Sequence, residues 1–235
     1  NKILSLVNNQ DIITGIFVRR IGQDFQSFYA PRWAGIDPAN GDPQWYKTST
    51  GKETTNNFND AQRTILGSAS PRYFGSLTNT LKYKGFSLDV QLYFSGGNLT
   101  QDTWAGFYMG SGNGPTFNKV LRQFTERWKA PGDNNATLPR YVYGGNRLAQ
   151  NPSTLYLYKG DYGRIRDLTL SYQLSEGLIE KLKLSSAVFY VRGTNLFTLV
   201  RDKKLPWDPE QGVASQTNLN VFIPKTITAG INIGF

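Results

Sequence analysis

Ile227-Thr-Ala-Gly-Ile-Asn-Ile-Gly-Phe235 carries an apolar side chain at every odd position and a small or polar one at every even position. Side chains of a strand alternate with period two, so Ile227, Ala229, Ile231, Ile233 and Phe235 share one face. Thr228, Gly230, Asn232 and Gly234 share the other. Two environments ask for this pattern. One is the wall of a membrane barrel, with one row toward lipid and one toward the lumen; the other is a half-buried strand of a soluble sandwich.

The same period recurs upstream. Phe86, Leu88, Val90, Leu92 and Phe94 form an apolar row opposite Ser87, Asp89, Gln91 and Tyr93, and a tilted strand crosses a bilayer in roughly 9–11 residues. Tyr73, Leu77, Leu81 and Tyr83 alternate with Arg72, Ser76, Thr78, Thr80 and Lys82 just before it. Only Lys84-Gly85 separates the two runs, and glycine there suits a tight hairpin. A second pair is expected from Leu168, Leu170, Tyr172 and Leu174, a short link around Glu176-Gly177, and a strand from Leu182 to about Leu196. In that last strand Ala187, Phe189 and Val191 fall in the nominally polar row, which predicts a contact inside a barrel or a bulge. A closing strand is expected over Phe222 to Phe235. The links alternate between short (Tyr83 to Phe86, Leu174 to Leu182) and long (about Asn98 to Tyr162, Phe197 to Phe222), as in barrels with short turns on one side and long loops on the other.

Composition narrows the chemistry. The chain of 235 residues has no Cys and no His, which removes disulfides, thiolate or histidine metal sites and any serine–histidine mechanism. No apolar run is long enough for a membrane-spanning helix, but a mean hydropathy of -0.43 leaves barrel strands open because half of their residues are polar. A net charge of +9 comes from 26 Lys and Arg against 17 Asp and Glu. The cations are scattered, as in Arg19-Arg20 and Lys203-Lys204, without the basic arm or reading helix of a nucleic-acid binder. A solvated surface or loops facing acidic lipid headgroups account for them. Gly110-Ser-Gly-Asn-Gly-Pro115 lacks the strand, helix and Lys of a phosphate loop and reads as a loop tip. A short helix is expected from about Phe117 to Trp128, ended by Ala130-Pro131-Gly132. The chain starts at Asn1 with no signal peptide, and a processed or split product is expected.

Four stretches in order give a resemblance: Pro71-Arg-Tyr-Phe-Gly75 with Tyr83-Lys-Gly-Phe86; Glu126-Arg-Trp-Lys-Ala-Pro-Gly-Asp133 with Pro139-Arg140; Gly160-Asp-Tyr-Gly-Arg-Ile-Arg-Asp-Leu-Thr-Leu-Ser-Tyr172; and Tyr190-Val-Arg-Gly-Thr-Asn-Leu-Phe197 with Asp208-Pro-Glu210. Together they make the chain similar to the C-terminal part of SusC/RagA-type TonB-linked outer-membrane transporters of Bacteroidetes. Gly15 to Gly35 looks like the extracellular segment before the first hairpin of that family. Thr228, Gly230, Ile233 and Phe235 resemble the C-terminal signal read during outer-membrane barrel assembly. In place of the family's acidic run stands Thr54-Thr-Asn-Asn-Phe-Asn-Asp60. With only Asp60, and Glu53 before it, a multi-carboxylate calcium site is not expected there.

The resemblance implies an all-β fold: residues 1–235 as the C-terminal strands of a large antiparallel transmembrane β-barrel with long extracellular loops, without the plug, the TonB-contacting box and the N-terminal strands. Five strands do not close, since such transporters have about 22 with a plugged lumen, and open edges in lipid cost several kcal/mol per unsatisfied group. The implied partners are the rest of the barrel with its plug, a SusD-like surface lipoprotein, TonB and outer-membrane lipid, with no cofactor and no metal. The implied function is energised import of oligosaccharides or peptides. Trp is enriched at binding hot spots, and all five (33, 45, 104, 128, 207) fall outside the five strands. Trp104, Tyr108, Trp128 and Trp207 are therefore the candidate contacts to substrate or lid, with packing of long loops as the competing role. Two rivals are a soluble carbohydrate-binding β-sandwich and a barrel enzyme. For the latter, Glu126, Asp133, Asp208 and Glu210 are the only acid–base candidates, and their Pro/Gly contexts favour loop structuring; no catalytic residue is assigned.

Overall fold

The alternation around Phe86 becomes real strands in the computed structural model, which describes residues 1–212, 214–217 and 221–235. The chain divides into two units. One comprises residues 71–97, 159–209 and 221–235, the other residues 1–70, 98–158 and 210–220.

The first unit holds a five-stranded antiparallel meander: β1 (Tyr73–Tyr83), β2 (Phe86–Gly96), β3 (Tyr162–Gln173), β4 (Ser186–Val200) and β5 (Thr226–Gly234), each paired with the next in sequence. Register turns single-strand patterns into rows across the whole sheet. Leu81, Leu88, Leu170, Val191 and Ala229 stand side by side, and one residue along, Thr80, Asp89, Thr169, Arg192 and Thr228 do the same on the opposite face. The next apolar level toward the β1–β2 turn is Tyr83, Phe86, Tyr172, Phe189 and Ile231, with the Phe86 and Tyr172 rings 4.6 Å apart. Aromatics at that level match the girdle of a membrane barrel. A sandwich would bury this face, yet Leu81 is 60% and Val191 52% exposed. A hollow of about 580 Å³ opens over Phe86, Leu170, Tyr172, Phe189, Val191 and Ile231. Among the described residues, no strand pairs with the outer side of β1 or β5.

The turn at Lys84-Gly85 has positive φ at both residues, 45° and 85°, as a primed hairpin turn requires. Two glycines are roofed by rings. A Cβ on Gly75 would lie 2.8 Å from the Phe94 ring, and one on Gly230 would lie 2.6 Å from the Tyr190 ring.

Three expectations need correction here. The link after Leu174 is longer than expected and contains a helix, Glu176–Leu182, so β4 begins at Ser186 rather than Leu182. Leu178, Ile179 and Leu182 share one helical face, Ile179 is buried, and Lys183 ends the helix in the left-handed region. Counted from Ser186, Ala187, Phe189 and Val191 belong to the apolar row, so the blurred pattern came from a wrong starting point. The bulge is present nonetheless: Ile165 and Asp167 pair with the adjacent residues Leu92 and Gln91, leaving Arg166 extra. On β4, Asn195 and Leu196 stand opposite it, Asn195 with φ 54°. The closing strand starts at Thr226, not Phe222.

The second unit is built from short strands. Ile12–Thr14, Phe17–Arg19, Ser27–Pro31 and Arg63–Ser68 form a four-stranded sheet around Ile16, Phe28, Ala30 and Ala69. Trp33–Ile36, Pro43–Tyr46 and Thr54–Thr55 form a second sheet. Trp33 and Trp45 are therefore strand residues, and Trp45 is fully buried, edge-on to both Trp33 and Phe58. A third sheet joins Leu157–Lys159, Leu99–Asp102 and Gln216–Thr217, the last two in parallel. The helix expected over Phe117–Trp128 shrinks to Leu121–Thr125. Before it, the Lys119 ammonium is drawn to the carbonyls of Phe107, Asn113 and Gly114. After it, Arg127 bridges to Leu138.

Candidate functional site

In the five-stranded sheet the polar face carries the charges. Asp89 accepts from Thr80, and Asp167 accepts from Thr169 and Arg192. Arg164, only 1% exposed, donates from Nη2 to both oxygens of Asp208 at 2.7 and 2.8 Å and from Nε to Thr198 Oγ1 at 3.0 Å. A buried, charge-assisted pair of this kind is short and strong. It ties the 201–209 segment to β3. The acid–base candidate Asp208 is thus engaged in a structural pair.

At the β1–β2 sheet end opposite the Lys84-Gly85 turn, Asp161 collects donors from three strand ends. Tyr73 donates its hydroxyl at 2.8 Å, Gly97 its N–H at 3.2 Å and Arg201 its Nη1 at 3.4 Å. Burial pushes the Asp161 carboxyl up, but the hydrogen bonds from Tyr73 and Gly97 and the Arg201 charge outweigh it and hold it below the usual carboxylate range. Trp207 follows in the 201–209 segment, half-buried, its ring stacked on Phe222 at 6.4 Å.

In the unit of short strands, Asp102 sets the position of Trp104 and Tyr108. Its buried Oδ1 accepts the N–H of Trp104 and of Ala105, both at 3.0 Å, at the start of the helix Ala105–Tyr108. Trp104 packs on Phe107 (5.2 Å), and Phe107 on Phe117 (6.0 Å). Phe107, Phe117 and Phe124 are exposed. None of these three Phe is in the Trp-led candidate set; Phe107 and Phe117 meet ring to ring, and the Phe124 ring faces the Arg127 guanidinium at 5.4 Å. Burial depresses the Lys119 ammonium below its ordinary value. The glycine-rich tip is a bonded element rather than a free loop, since Val142 donates to the Ser111 carbonyl at 2.9 Å and Gly144 to that of Gly112 at 3.1 Å.

Trp128 has a separate neighbourhood. Its Nε1 donates to the Pro38 carbonyl at 3.2 Å, and its ring lies so close to Gly41 that a Cβ there would be 2.4 Å away. Beside Gly41, the buried carboxylate of Asp42 accepts Arg140 Nε at 3.1 Å and Arg147 Nε at 2.6 Å. Arg127, Trp128, Lys129, Arg140 and Tyr141 line a pocket of about 390 Å³. Trp104 and Tyr108 share one short helix, whereas Trp128 belongs to this different pocket. The acid–base candidates here are also occupied: Glu126 pairs with Arg122 at 2.9 Å, and Asp133 accepts the backbone N–H of Lys129 and of Asn135, both at 3.3 Å.

No family model matches the chain. Over its whole length it is 24% identical to TonB-dependent receptor P3 of Formosa agariphila, covering 26% of that protein. Over 73% of its length it is 28% identical to TonB-dependent receptor P26 of the same organism, covering 18% of it. Its fold matches the RagAB peptide transporter with a TM-score of 0.78 at 24% identity, over all of this chain and 25% of that one. The RagAB peptide importer in its open-open state matches over the same shares with a TM-score of 0.82 at 23% identity. The chain thus spans about a quarter of the length of the relatives it matches. A two-faced sheet with exposed apolar rows and, among the described residues, no strand on either outer edge has the fold of a segment of an outer-membrane β-barrel, and the chain is similar to TonB-dependent receptors.

Proposed function

We propose that this chain is the C-terminal barrel segment of a SusC-like active importer, in which a SusD-like lipoprotein caps the extracellular mouth and TonB drives uptake of oligosaccharides or peptides. The observation that carries the reading is the pair of rows on opposite faces, Leu81 to Ala229 and Thr80 to Thr228, on a sheet with no strand on its outer edges among the described residues. Named relatives of the receptor and importer kind support it. The chain's part is binding and gating, with no chemistry of its own. Trp104, Tyr108, Trp128 and Trp207 remain the proposed contacts to substrate or lid.

Thr228, Gly230, Ile233 and Phe235 are proposed as the assembly signal, with Phe235 ending the lipid-facing row. Deleting Phe235 lowers the amount of assembled barrel and leaves uptake per surviving barrel nearly unchanged; normal abundance with uptake abolished would refute this role. In intact cells, single cysteines at position 112 are labelled from outside and those at position 85 are not. Uptake of labelled oligosaccharide or peptide stops when the proton gradient is collapsed. Import that continues without the gradient would overturn the energised reading.

A further inference from the structure

The pocket at Trp128 has two aromatic rings and three cations in its lining and no carboxylate. Its acidic neighbours are already committed. Glu126 holds Arg122 and Thr137, Asp133 accepts two backbone N–H groups, and Asp42 lies between Arg140 and Arg147. Among the described residues, the ammonium of Lys129 meets no carboxylate, and the Arg127 guanidinium lies over the Phe124 ring at 5.4 Å rather than on an acid. Cations without a counter-charge beside a rigid ring form a receptive surface for an anion.

Three backbone N–H groups of the pocket are already bonded within the chain. Trp128 N–H donates to Leu138 at 2.9 Å, Arg140 N–H to Gly41 at 2.9 Å and Lys129 N–H to Asp133 at 3.3 Å. An extended peptide docks chiefly through main-chain bonds of this kind. The pocket offers charge and ring surface, which suits a sugar that bears acidic groups and presents a C–H face for stacking.

We propose that Arg127, Trp128, Lys129, Arg140 and Tyr141 form a subsite for an acidic oligosaccharide, its carboxylate or sulfate groups held by Lys129 and Arg127 and one sugar ring laid against Trp128 or Tyr141. This rests on the import reading and names the substrate class for it. Trp128 is fixed by its bond to Pro38 and its seat on Gly41, so the ring is positioned before the ligand arrives.

The test uses the purified full-length barrel in detergent and calorimetric titration with four probes: pentagalacturonate, a sulfated galactan tetrasaccharide, maltopentaose and pentaglutamate. At least one of the two acidic sugars binds, more weakly as salt rises, and maltopentaose does not compete. Arg127→Gln with Lys129→Gln weakens that binding roughly tenfold or more. Lys203→Gln with Lys204→Gln removes the same charge elsewhere and leaves it unchanged. Which acidic sugar binds tells carboxylate from sulfate. The proposal is overturned if neither acidic sugar binds, if both double variants lose affinity equally, or if pentaglutamate binds more tightly than either sugar. Because the readout is binding in detergent, failure of energised import in cells would show separately.

Discussion

The sheet and the short-stranded unit solve opposite problems. Most buried apolar side chains, such as Val18, Phe28, Trp45, Met109 and Leu138, belong to the short-stranded unit, whereas the unit that holds the sheet contributes only Tyr162, Ala187 and the helical Ile179 to the buried apolar set among the described residues. The sheet does not need an internal core, because its apolar row is matched to a hydrocarbon solvent outside. The short strands and loops instead organise around buried carboxylates, Asp42 with two arginines and Asp102 at a helix start. Regular backbone hydrogen-bonds itself, while irregular backbone requires side chains to satisfy its orphan groups.

If that contrast is right, the most damaging change in the full-length barrel is one that strands a charge in the sheet. Asp208→Ala leaves Arg164 buried without its partner, at a cost of about 3–5 kcal/mol. Hydrogen exchange should rise in residues 201–209 and at the start of β3; unchanged protection there would remove the pair from its structural role. Next, Val90→Arg in the apolar row should cost roughly 2–4 kcal/mol near the bilayer midplane, while Val90→Leu is tolerated. Denaturant titration of barrels folded into vesicles decides this, and normal assembly of the arginine variant alongside failure of Gln91→Leu would reverse the two faces.

A smaller effect belongs to the turn. Gly85→Ala puts a Cβ 2.9 Å from the Gln173 carbonyl at a φ of 85°, a penalty of about 1 kcal/mol or more, read from the same titration. The mildest concerns acid. The Asp161 carboxyl sits below its unfolded value of about 3.9, so its stabilisation is complete above that pH and is lost as pH falls through the lower folded value. Below about pH 4, protection at Gly97 and Arg201 should fall, and Asp161→Asn should abolish this dependence.

Much of the sheet was legible because one physical cause, two solvents on two faces, writes period two into residues 73–83, 86–94, 168–172 and 226–234. Legibility failed where a second cause intruded. Leu182 belongs to a helix, and counting from it put Ala187, Phe189 and Val191 on the wrong face. In the loops no period exists. Trp128 and Tyr108 could be picked by residue type, but the meeting of Arg127 and Lys129 with Arg140 and Tyr141 depends on a bridge between Arg127 and Leu138 that leaves no local trace. Trp33 and Trp45 show the limit of residue type alone, since both went into strands and Trp45 into a core.

The extra residue at Arg166 makes β3 a strand with two reading frames. Ahead of it the odd positions Gly163 and Ile165 lie with the apolar row; beyond it the even positions Leu168, Leu170 and Tyr172 do. Removing Arg166 alone would make Ile165 and Asp167 consecutive opposite Leu92 and Gln91, so the strand would alternate without a break and Leu168, Leu170 and Tyr172 would keep their face. The bulge is therefore a place where this wall can absorb the loss of one residue, and assembly of the Arg166 deletion compared with the unchanged chain would measure what the extra residue contributes.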